Sequence, residues 1–183
     1  MYKYLLIFFL TITITSCKED ILPKPKAYLS LKYPEKTFNS FNANYPYTFE
    51  IASSTNIIKQ PNYWLKITYP KLKASIDITY RPVNGNLKEL LTEAEKLVFE
   101  HTIKADQISS NTYENKNTKV YGSIYEITGN SASNVQFHVT DSSKNFLKGS
   151  LFFYSKPNYD SIIPAVDYIK QDMIHLIETL KWR

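Results

Sequence analysis

Alternating apolar and polar side chains predict a series of antiparallel strands along this chain. The clearest case is residues 63–69, where tyrosine, leucine and isoleucine alternate with Trp64, Lys66 and Thr68. Residues 73–80 repeat the pattern, and the sequence Pro-Lys-Leu at 70–72 joins both strands as a hairpin. One face of such a hairpin is buried and the other meets solvent. The same reasoning predicts strands at residues 27–33, 47–51, 120–128, 135–140 and 146–155.

One central segment carries apolar residues at helical spacing. It follows the Asn84-Gly85 turn, and Asn86 with Glu89 three residues later predicts a capping box. The helix is predicted to end near Lys104. Its apolar stripe comprises Leu87, Leu90, Leu91, Ala94, Leu97, Val98 and His101.

A second helix is predicted at residues 162–180, with Ser161 as its N-cap. This start makes Pro164 the third helical residue, whose missing N–H has no intrahelical partner. The buried stripe comprises Ile162, Val166, Ile169, Met173, Ile177 and Leu180, and Trp182 is expected to close a sheet edge. Residues 35–45 and 108–119 are rich in asparagine and lack periodicity, so they are predicted to be irregular.

The order of these elements predicts an α+β fold, a mostly antiparallel sheet with one central helix and a long C-terminal helix. Phe152 and Phe153 are adjacent in the last strand, so they point to opposite faces. Helices are therefore expected on both sides of the sheet. The element order resembles the Mog1/PsbP-like sandwich.

The N-terminal residues predict an export signal. Lys3 supplies a positive charge, and residues 5–14 form an apolar run too short to cross a hydrocarbon core of roughly 30 Å. Ile-Thr-Ser before Cys17 resembles a bacterial lipobox; the alternative is an ordinary signal peptide with an unrelated cysteine. The expected organisation is a cleaved signal at 1–16, an acylated Cys17 with an extended tether at 17–26, and a single domain at 27–183.

Composition narrows the possible functions further. The chain has 43% hydrophobic and 15% aromatic residues, typical of a globular body. Its formal charge of +5 is spread without a block of five like charges, so no nucleic-acid partner is expected. Cys17 is the single cysteine, and its acylation leaves no thiol for a disulfide, a metal site or a nucleophile. With four glycines, no phosphate-binding loop is evident, and no cofactor or metal is expected.

Candidate catalytic residues are few and dispersed. His101 lies on the apolar stripe of its helix, His138 on the polar face of a strand, and His175 off the stripe of the terminal helix. Asp77 and Asp141 are candidates to pair with His138 as an acid–base set, but no nucleophile motif accompanies them. The sequence therefore predicts a protein that is not an enzyme.

Tyrosines offer a different kind of site, since they provide large contact areas at interfaces. Ordinary packing on half-buried strands is the competing interpretation. Asp160-Ser161-Ile162 resembles an O-glycosylation sequon of Bacteroidetes, in competition with the role of Ser161 as a helix cap. The tyrosines considered are Tyr28, Tyr45, Tyr47, Tyr63, Tyr69, Tyr80, Tyr113, Tyr121, Tyr125, Tyr154 and Tyr159.

Several longer stretches carry a family resemblance, including the run CKEDILPKPK from Cys17, WLKITYP from Trp64, ITYRPVN from Ile78 and GSLFFYSKPNYDSIIP from Gly149. These stretches resemble the gliding-motility lipoprotein GldD family of Bacteroidetes. The resemblance implies a lipid-anchored cell-envelope component of the gliding machinery, linked with type IX secretion and acting through contacts with other envelope proteins. It supplies no catalytic residues, and only Cys17 transfers, as the lipidation site.

The face of the membrane and two alternative functions stay open. The chain is expected at the outer membrane, on either its periplasmic or its surface face. A binding or chaperone module for a client protein or small ligand is the alternative function, with an apolar pocket or aromatic patch as its signature. A hydrolase of envelope polymers would require His138, Asp77 and a hydroxyl in one cleft.

Overall fold

The computed structural model describes residues 33–100, 105–154 and 159–183, which form ten strands and two helices. The helices are α1 (Leu87–Phe99) and α2 (Tyr159–Thr179). The strands are β1 (Phe38–Phe41), β2 (Tyr47–Ala52), β3 (Asn56–Lys59), β4 (Leu65–Tyr69), β5 (Ala74–Pro82), β6 (Gln107–Asn115), β7 (Val120–Thr128), β8 (Val135–Thr140), β9 (Asn145–Phe153) and β10 (Lys181–Trp182).

Seven strands make one antiparallel sheet in the order β3-β4-β5-β9-β8-β7-β6. Strands β1, β2 and β10 make a second sheet with β2 in the middle, so Trp182 of β10 lies at an edge as predicted. In the large sheet, Gly149 of β9 lies opposite both Ile78 and Phe137. A Cβ added to Gly149 would lie 2.2 Å from a ring carbon of Phe137. Glycine at this position therefore leaves space for the buried phenyl ring.

The main core lies on one face of the large sheet. Buried side chains of β4, β5, β8 and β9 on this face pack with β2 of the small sheet and with α2. Ile169, Met173 and Leu176 of α2 are fully buried there. The predicted stripe of the terminal helix thus faces the sheet, because burial follows the helical period.

The opposite face of the sheet is covered in part by α1. Leu90 and Ala94 pack with Phe146 and Val83, and Val98 packs with Tyr125 and Ile127 of β7. Helices therefore lie on both sides of the sheet, and the predicted α+β class is confirmed. The likeness to the Mog1/PsbP-like sandwich stays a prediction.

Two segments predicted to be irregular contain strands. Residues 35–45 include β1, which pairs with β2, and residues 108–119 include most of β6, which pairs with β7 over nine residues. Most of β6 is exposed on both faces at the edge of the sheet. Such a strand has no apolar alternation, because it is held by main-chain hydrogen bonds to its neighbour rather than by burial. The short strand β3 was also missed.

One predicted helix cap and one predicted helix start differ from the structure. Asn86 makes no side-chain cap; its Oδ1 accepts a hydrogen bond from the backbone N–H of Asn84 at 2.8 Å instead. Helix α2 already includes Tyr159, so Ser161 is not the N-cap and Pro164 is the sixth residue. The backbone N–H of Tyr159 donates to Asn130 Oδ1 at 2.9 Å. A side chain distant in sequence thus supports the earlier start.

Some predicted ends lie outside the described residues. These are residues 27–32 of the strand predicted at 27–33, whose last residue, Tyr33, is described and is not in a strand, and the last turn of the central helix at 101–104. Tyr63 was predicted to begin β4 but belongs to the 3-10 helix Pro61–Tyr63. The connection at Pro70–Leu72 is also a 3-10 helix.

Candidate functional site

A groove of about 660 Å³ opens between α1 and the half of the sheet that this helix leaves uncovered. Leu90, Glu93 and Ala94 of α1 form one wall. Tyr63 and Trp64, just before β4, belong to the opposite side, and β5 and β9 contribute residues between them. A volume of this size is in the range of ligand sites in proteins. The groove is therefore the candidate functional site.

Strand register defines a row of side chains across the floor of the groove. Leu65 lies opposite Ile78, so Trp64 is next to Thr79 on the other face of the sheet. Thr79 lies opposite Lys148, and Lys148 lies opposite His138. Cross-strand neighbours of this kind have Cβ atoms about 5 Å apart. The row thus runs from an exposed indole to a histidine buried under α1.

Lys148 is a half-buried cation in this row. Burial lowers the pKa of its ammonium; Glu93 raises that pKa and Arg81 lowers it further. Within the described residues, the ammonium makes no hydrogen bond and no ion pair. A cation that has lost part of its hydration without gaining a partner is a natural position for a ligand anion.

Arg81 and Glu93 connect the sheet to α1 beside the groove. Arg81 Nη1 donates to Glu93 Oε2 at 2.7 Å, and both side chains are about half exposed. An ion pair this exposed contributes little to folding stability, on the order of 0–1 kcal/mol. Its charges remain accessible to a ligand. The groove contains two cations and one anion, counting Lys148.

The aromatic side of the groove is held in place by tertiary contacts. Trp64 Nε1 donates to the backbone oxygen of Tyr80 at 3.0 Å, and the Tyr47 hydroxyl donates to the backbone oxygen of Tyr63. Tyr63 and Asn62 have φ values of 61° and 60°, a left-handed conformation that costs a non-glycine residue about 1–2 kcal/mol. Tyr63 and Trp64 are 48% and 37% exposed. Contacts behind the wall thus present two aromatic rings to solvent.

The tyrosines considered either for an interface or for ordinary packing divide between this wall and the interior. Tyr45, Tyr47, Tyr63 and Tyr80 are in mutual ring contact, with centroids 5.3–5.9 Å apart. Tyr47 is fully buried, and burial raises its pKa above the ordinary value. Tyr69 and Tyr125 are also buried, while Tyr154 is 60% exposed. Tyr113, Tyr121 and Tyr159 lie in β6, β7 and α2, apart from this cluster, and Tyr28 lies outside the described residues.

The predicted acid–base residues are not joined by hydrogen bonds in the described part of the chain. Asp77 contacts Lys66 at 3.2 Å. Asp141 Oδ1 accepts three backbone hydrogen bonds within its own turn, at 2.8–2.9 Å. His138 was predicted to lie on the polar face of its strand, and it is buried there. It is 4% exposed, between the rings of Tyr125 and Phe146, and its Nδ1 has no partner.

The pKa values in this set follow from these surroundings. Burial lowers the pKa of His138 below 6.5, partly offset by Glu95. Burial alone raises the pKa of Asp141, but the hydrogen bonds from its turn outweigh it, and the net pKa lies below the ordinary value. His138 is therefore neutral and Asp141 charged near neutral pH. The burial of His138 and the hydrogen bonds of Asp141 within its turn each account for the pKa of that residue without a shared site.

The other two histidines are distant from the groove in the fold or lie outside the described residues. His175 Nε2 is 2.8 Å from Glu50 Oε2, and its ring stacks on Phe38 at 3.7 Å. His101 is not among the described residues. No cluster of three or more histidine, cysteine, aspartate or glutamate residues suited to a metal occurs in 33–100, 105–154 or 159–183.

A buried ion pair that the sequence did not predict fixes the segment before β1 to α2. Lys36 Nζ lies 2.7 Å from Asp172 Oδ1, and Asp172 is fully buried. The Tyr69 hydroxyl donates to Asp172 Oδ2 at 3.0 Å, and Lys36 also donates to the Tyr168 backbone oxygen at 2.6 Å. The sequence gives one indication of this ion pair, because Asp172 is next to Met173 of the apolar stripe. Its partner, Lys36, is more than 130 residues away in sequence and could not be identified.

Two further residues complete the attachment of this segment. The rings of Tyr33 and Tyr168 stack with centroids 4.5 Å apart. The Tyr168 hydroxyl donates to the backbone oxygen of Pro34 at 3.3 Å. The chain therefore enters the folded body along α2, away from the groove, which is formed by α1 and the opposite face of the sheet.

Fold and groove together define an α+β body with a groove lined by aromatic and charged side chains. Residues 18–182 match the family model described as gliding motility lipoprotein GldD. This match covers most of the chain, so the chain belongs to the gliding motility lipoprotein GldD family. The predicted family is confirmed.

Membership gives the protein a general role and location. The family is a lipoprotein component of gliding motility rather than a known enzyme family, which places the chain in the cell envelope with a membrane association. A search of curated proteins gives no match. Neither helix in the described ranges is long and apolar enough to span a bilayer.

Proposed function

We infer that this chain serves gliding motility in a Bacteroidetes cell envelope by binding other envelope proteins of the gliding and type IX secretion machinery. The family match over residues 18–182 is the observation that carries this proposal. The groove supports a binding role, because it presents exposed aromatic rings and an unpaired cation. The dispersal of Asp77, Asp141 and His138 favours contacts over catalysis.

Deletion of the gene tests this role directly. The deletion strain is expected to lose colony spreading and to be restored by the wild-type gene. Secretion of type IX cargo into the medium is measured in the same strains. Normal spreading after deletion would refute the motility role, and lost spreading with normal secretion would refute the link to secretion.

The proposed anchor is Cys17, acylated after removal of residues 1–16, with residues 17–26 as a tether to the body. Palmitate and related acyl chains on one cysteine hold a protein at a membrane when more than one chain is present. The proposed location is the outer membrane. The Cys17→Ala variant is expected to leave the membrane fraction, while Ser16→Ala keeps the protein membrane-bound. Retention of Cys17→Ala in outer-membrane fractions would refute the anchor.

A binding or chaperone module for a client protein or small ligand is the second candidate. The groove of about 660 Å³ is the observation in its favour. A chaperone would bind its client before assembly and be absent from the finished machinery. Purification of the motility complex under mild conditions distinguishes the two, because a structural component is retained in fixed proportion.

A further inference from the structure

Lys148 is a charge in the groove that nothing in the described fold explains. Its ammonium is half buried and has no hydrogen-bond or ion-pair partner in the described ranges. By contrast, Lys36, Lys66 and Lys170, all partly buried, each have a carboxylate within 3.2 Å. An anion entering the groove would give Lys148 the partner that comparable lysines already have.

Trp64 provides the second half of the site. Its indole N–H is already bound to Tyr80, so the exposed part of the ring offers a ligand an apolar contact rather than a hydrogen-bond donor. Leu90 and Ala94 of α1 lie on the other wall. The space between them suits an apolar or aromatic side chain. Trp and Tyr in such positions commonly dominate binding energy at protein interfaces.

We propose that the groove binds an extended polypeptide segment in which an acidic side chain lies two or three residues from an apolar or aromatic one. This proposal rests on the proposed function, since it assigns the contact site and the chemistry of the partner. The apolar side chain packs between Trp64 and α1. The carboxylate pairs with Lys148.

The spacing in the segment follows from the strand register. Trp64 extends the line of β4 and Lys148 belongs to β9, so they are two strands apart with β5 between them. Two strand spacings are about 9–10 Å. In an extended β peptide, side chains two positions apart share a face and are about 7 Å apart. In a polyproline II peptide, side chains three positions apart share a face and are about 9 Å apart. The lysine side chain covers the remaining difference.

The lining favours a polypeptide over an anionic glycan. A sugar ring can stack its C–H face on an aromatic side chain, but the hydroxyl groups around its edge need several polar partners in the site. Here Glu93 is the polar residue among the three that α1 contributes, beside Leu90 and Ala94. Trp, Tyr and Arg together are the residue types enriched at protein interface hot spots. The charge of the groove, with Arg81 and Lys148 against Glu93, favours an acidic segment.

Selection from a displayed library of random dodecapeptides tests the proposal. The full acylated chain in detergent micelles is the target, and the Trp64→Phe Lys148→Gln double variant is used for counter-selection. Enriched peptides are expected to contain Asp or Glu two or three positions from an apolar residue. Their Kd is expected to rise at least tenfold in Lys148→Gln and to recover in Lys148→Arg.

Matched controls separate the site from general charge. Lys144→Gln removes an exposed charge from the turn just before β9 and is expected to leave the Kd within twofold. In a Trp182→Phe background, Trp64 is the remaining tryptophan of the chain, and its emission is expected to shift on binding. Circular dichroism and thermal melting verify that each variant is folded.

Three outcomes would overturn the proposal. One is that the selection gives no peptide whose binding depends on Lys148 and Trp64. Another is that Lys144→Gln weakens peptide binding as much as Lys148→Gln does. The third is binding of polygalacturonate, an anionic polysaccharide, with the same dependence on both residues and no peptide ligand. The motility role is tested separately: if deletion abolishes spreading but the double variant spreads normally, that role stands and the groove is not its contact site.

Discussion

Replacement of Lys36 by Met leaves a buried carboxylate without its cation. Asp172 is fully buried, and the Tyr69 hydroxyl would be its remaining hydrogen-bond donor among the described contacts. Removing one partner of a buried pair costs about 3–5 kcal/mol. The Lys36 side chain is 24% exposed, so water can partly replace it, and the lower end of about 3 kcal/mol applies.

Urea unfolding measures this loss. With a slope of about 2 kcal/mol/M, a loss of 3 kcal/mol lowers the unfolding midpoint by about 1.5 M. Lys96→Met is the matched control, because Lys96 is 75% exposed and lies 4.0 Å from Glu100. That control is expected to change the free energy of unfolding by less than about 0.5 kcal/mol.

A double variant separates the lost pair from lost packing. In Lys36→Met Asp172→Leu the buried charge is absent, and stability is expected to return to within about 1 kcal/mol of wild type. Equal midpoints for Lys36→Met and Lys96→Met would refute the reasoning. So would a double variant less stable than Lys36→Met alone.

Three further changes test other parts of the fold. Gly149→Ala is expected to destabilise the protein by about 1–3 kcal/mol in urea unfolding, because the added Cβ overlaps the Phe137 ring. Asp141→Ala removes the acceptor of three turn N–H groups and is expected to cost about 1–2 kcal/mol at pH 7; since the folded pKa of Asp141 is depressed, the difference from wild type shrinks as pH falls below about 4. His138→Phe removes a buried imidazole whose pKa in the folded state is lowered. Wild type loses stability as pH falls below about 6.5, because its unfolded state takes up a proton there, so the variant becomes more stable relative to wild type.

Each of these expectations has a contradicting result. A Gly149→Ala variant as stable as wild type would show that Phe137 shifts at no cost. If the difference in free energy of unfolding between Asp141→Ala and wild type stays constant from pH 7 to pH 3, the charged carboxylate is not the cause of that difference. For His138→Phe, the free energy of unfolding is compared with that of wild type at pH 5 and at pH 7. If the variant gains no stability relative to wild type at pH 5, the fold does not hold the buried histidine neutral.

Local patterns in the sequence determined most of the secondary structure. The alternation around Ile76 and Phe137 and the stripe through Ile169 predicted strands and a helix, because burial on one face repeats with the period of each element. The α+β class follows from their order. The stretches quoted from Cys17 to Gly149 determined the family by resemblance. Where burial did not alternate, as in β6, the prediction was wrong.

Tertiary structure alone decided the buried polar contacts and the groove. Lys36 meets Asp172, and Tyr159 meets Asn130, across long distances in sequence, so neither pair has a local signal. His138 lies on the polar face of β8 with Gln136 and Thr140, and all three are buried because α1 covers part of that face. Trp64 and Lys148 come together through the register of β4, β5 and β9. That register depends on pairing among distant strands, and for this reason the groove could not be read from the sequence.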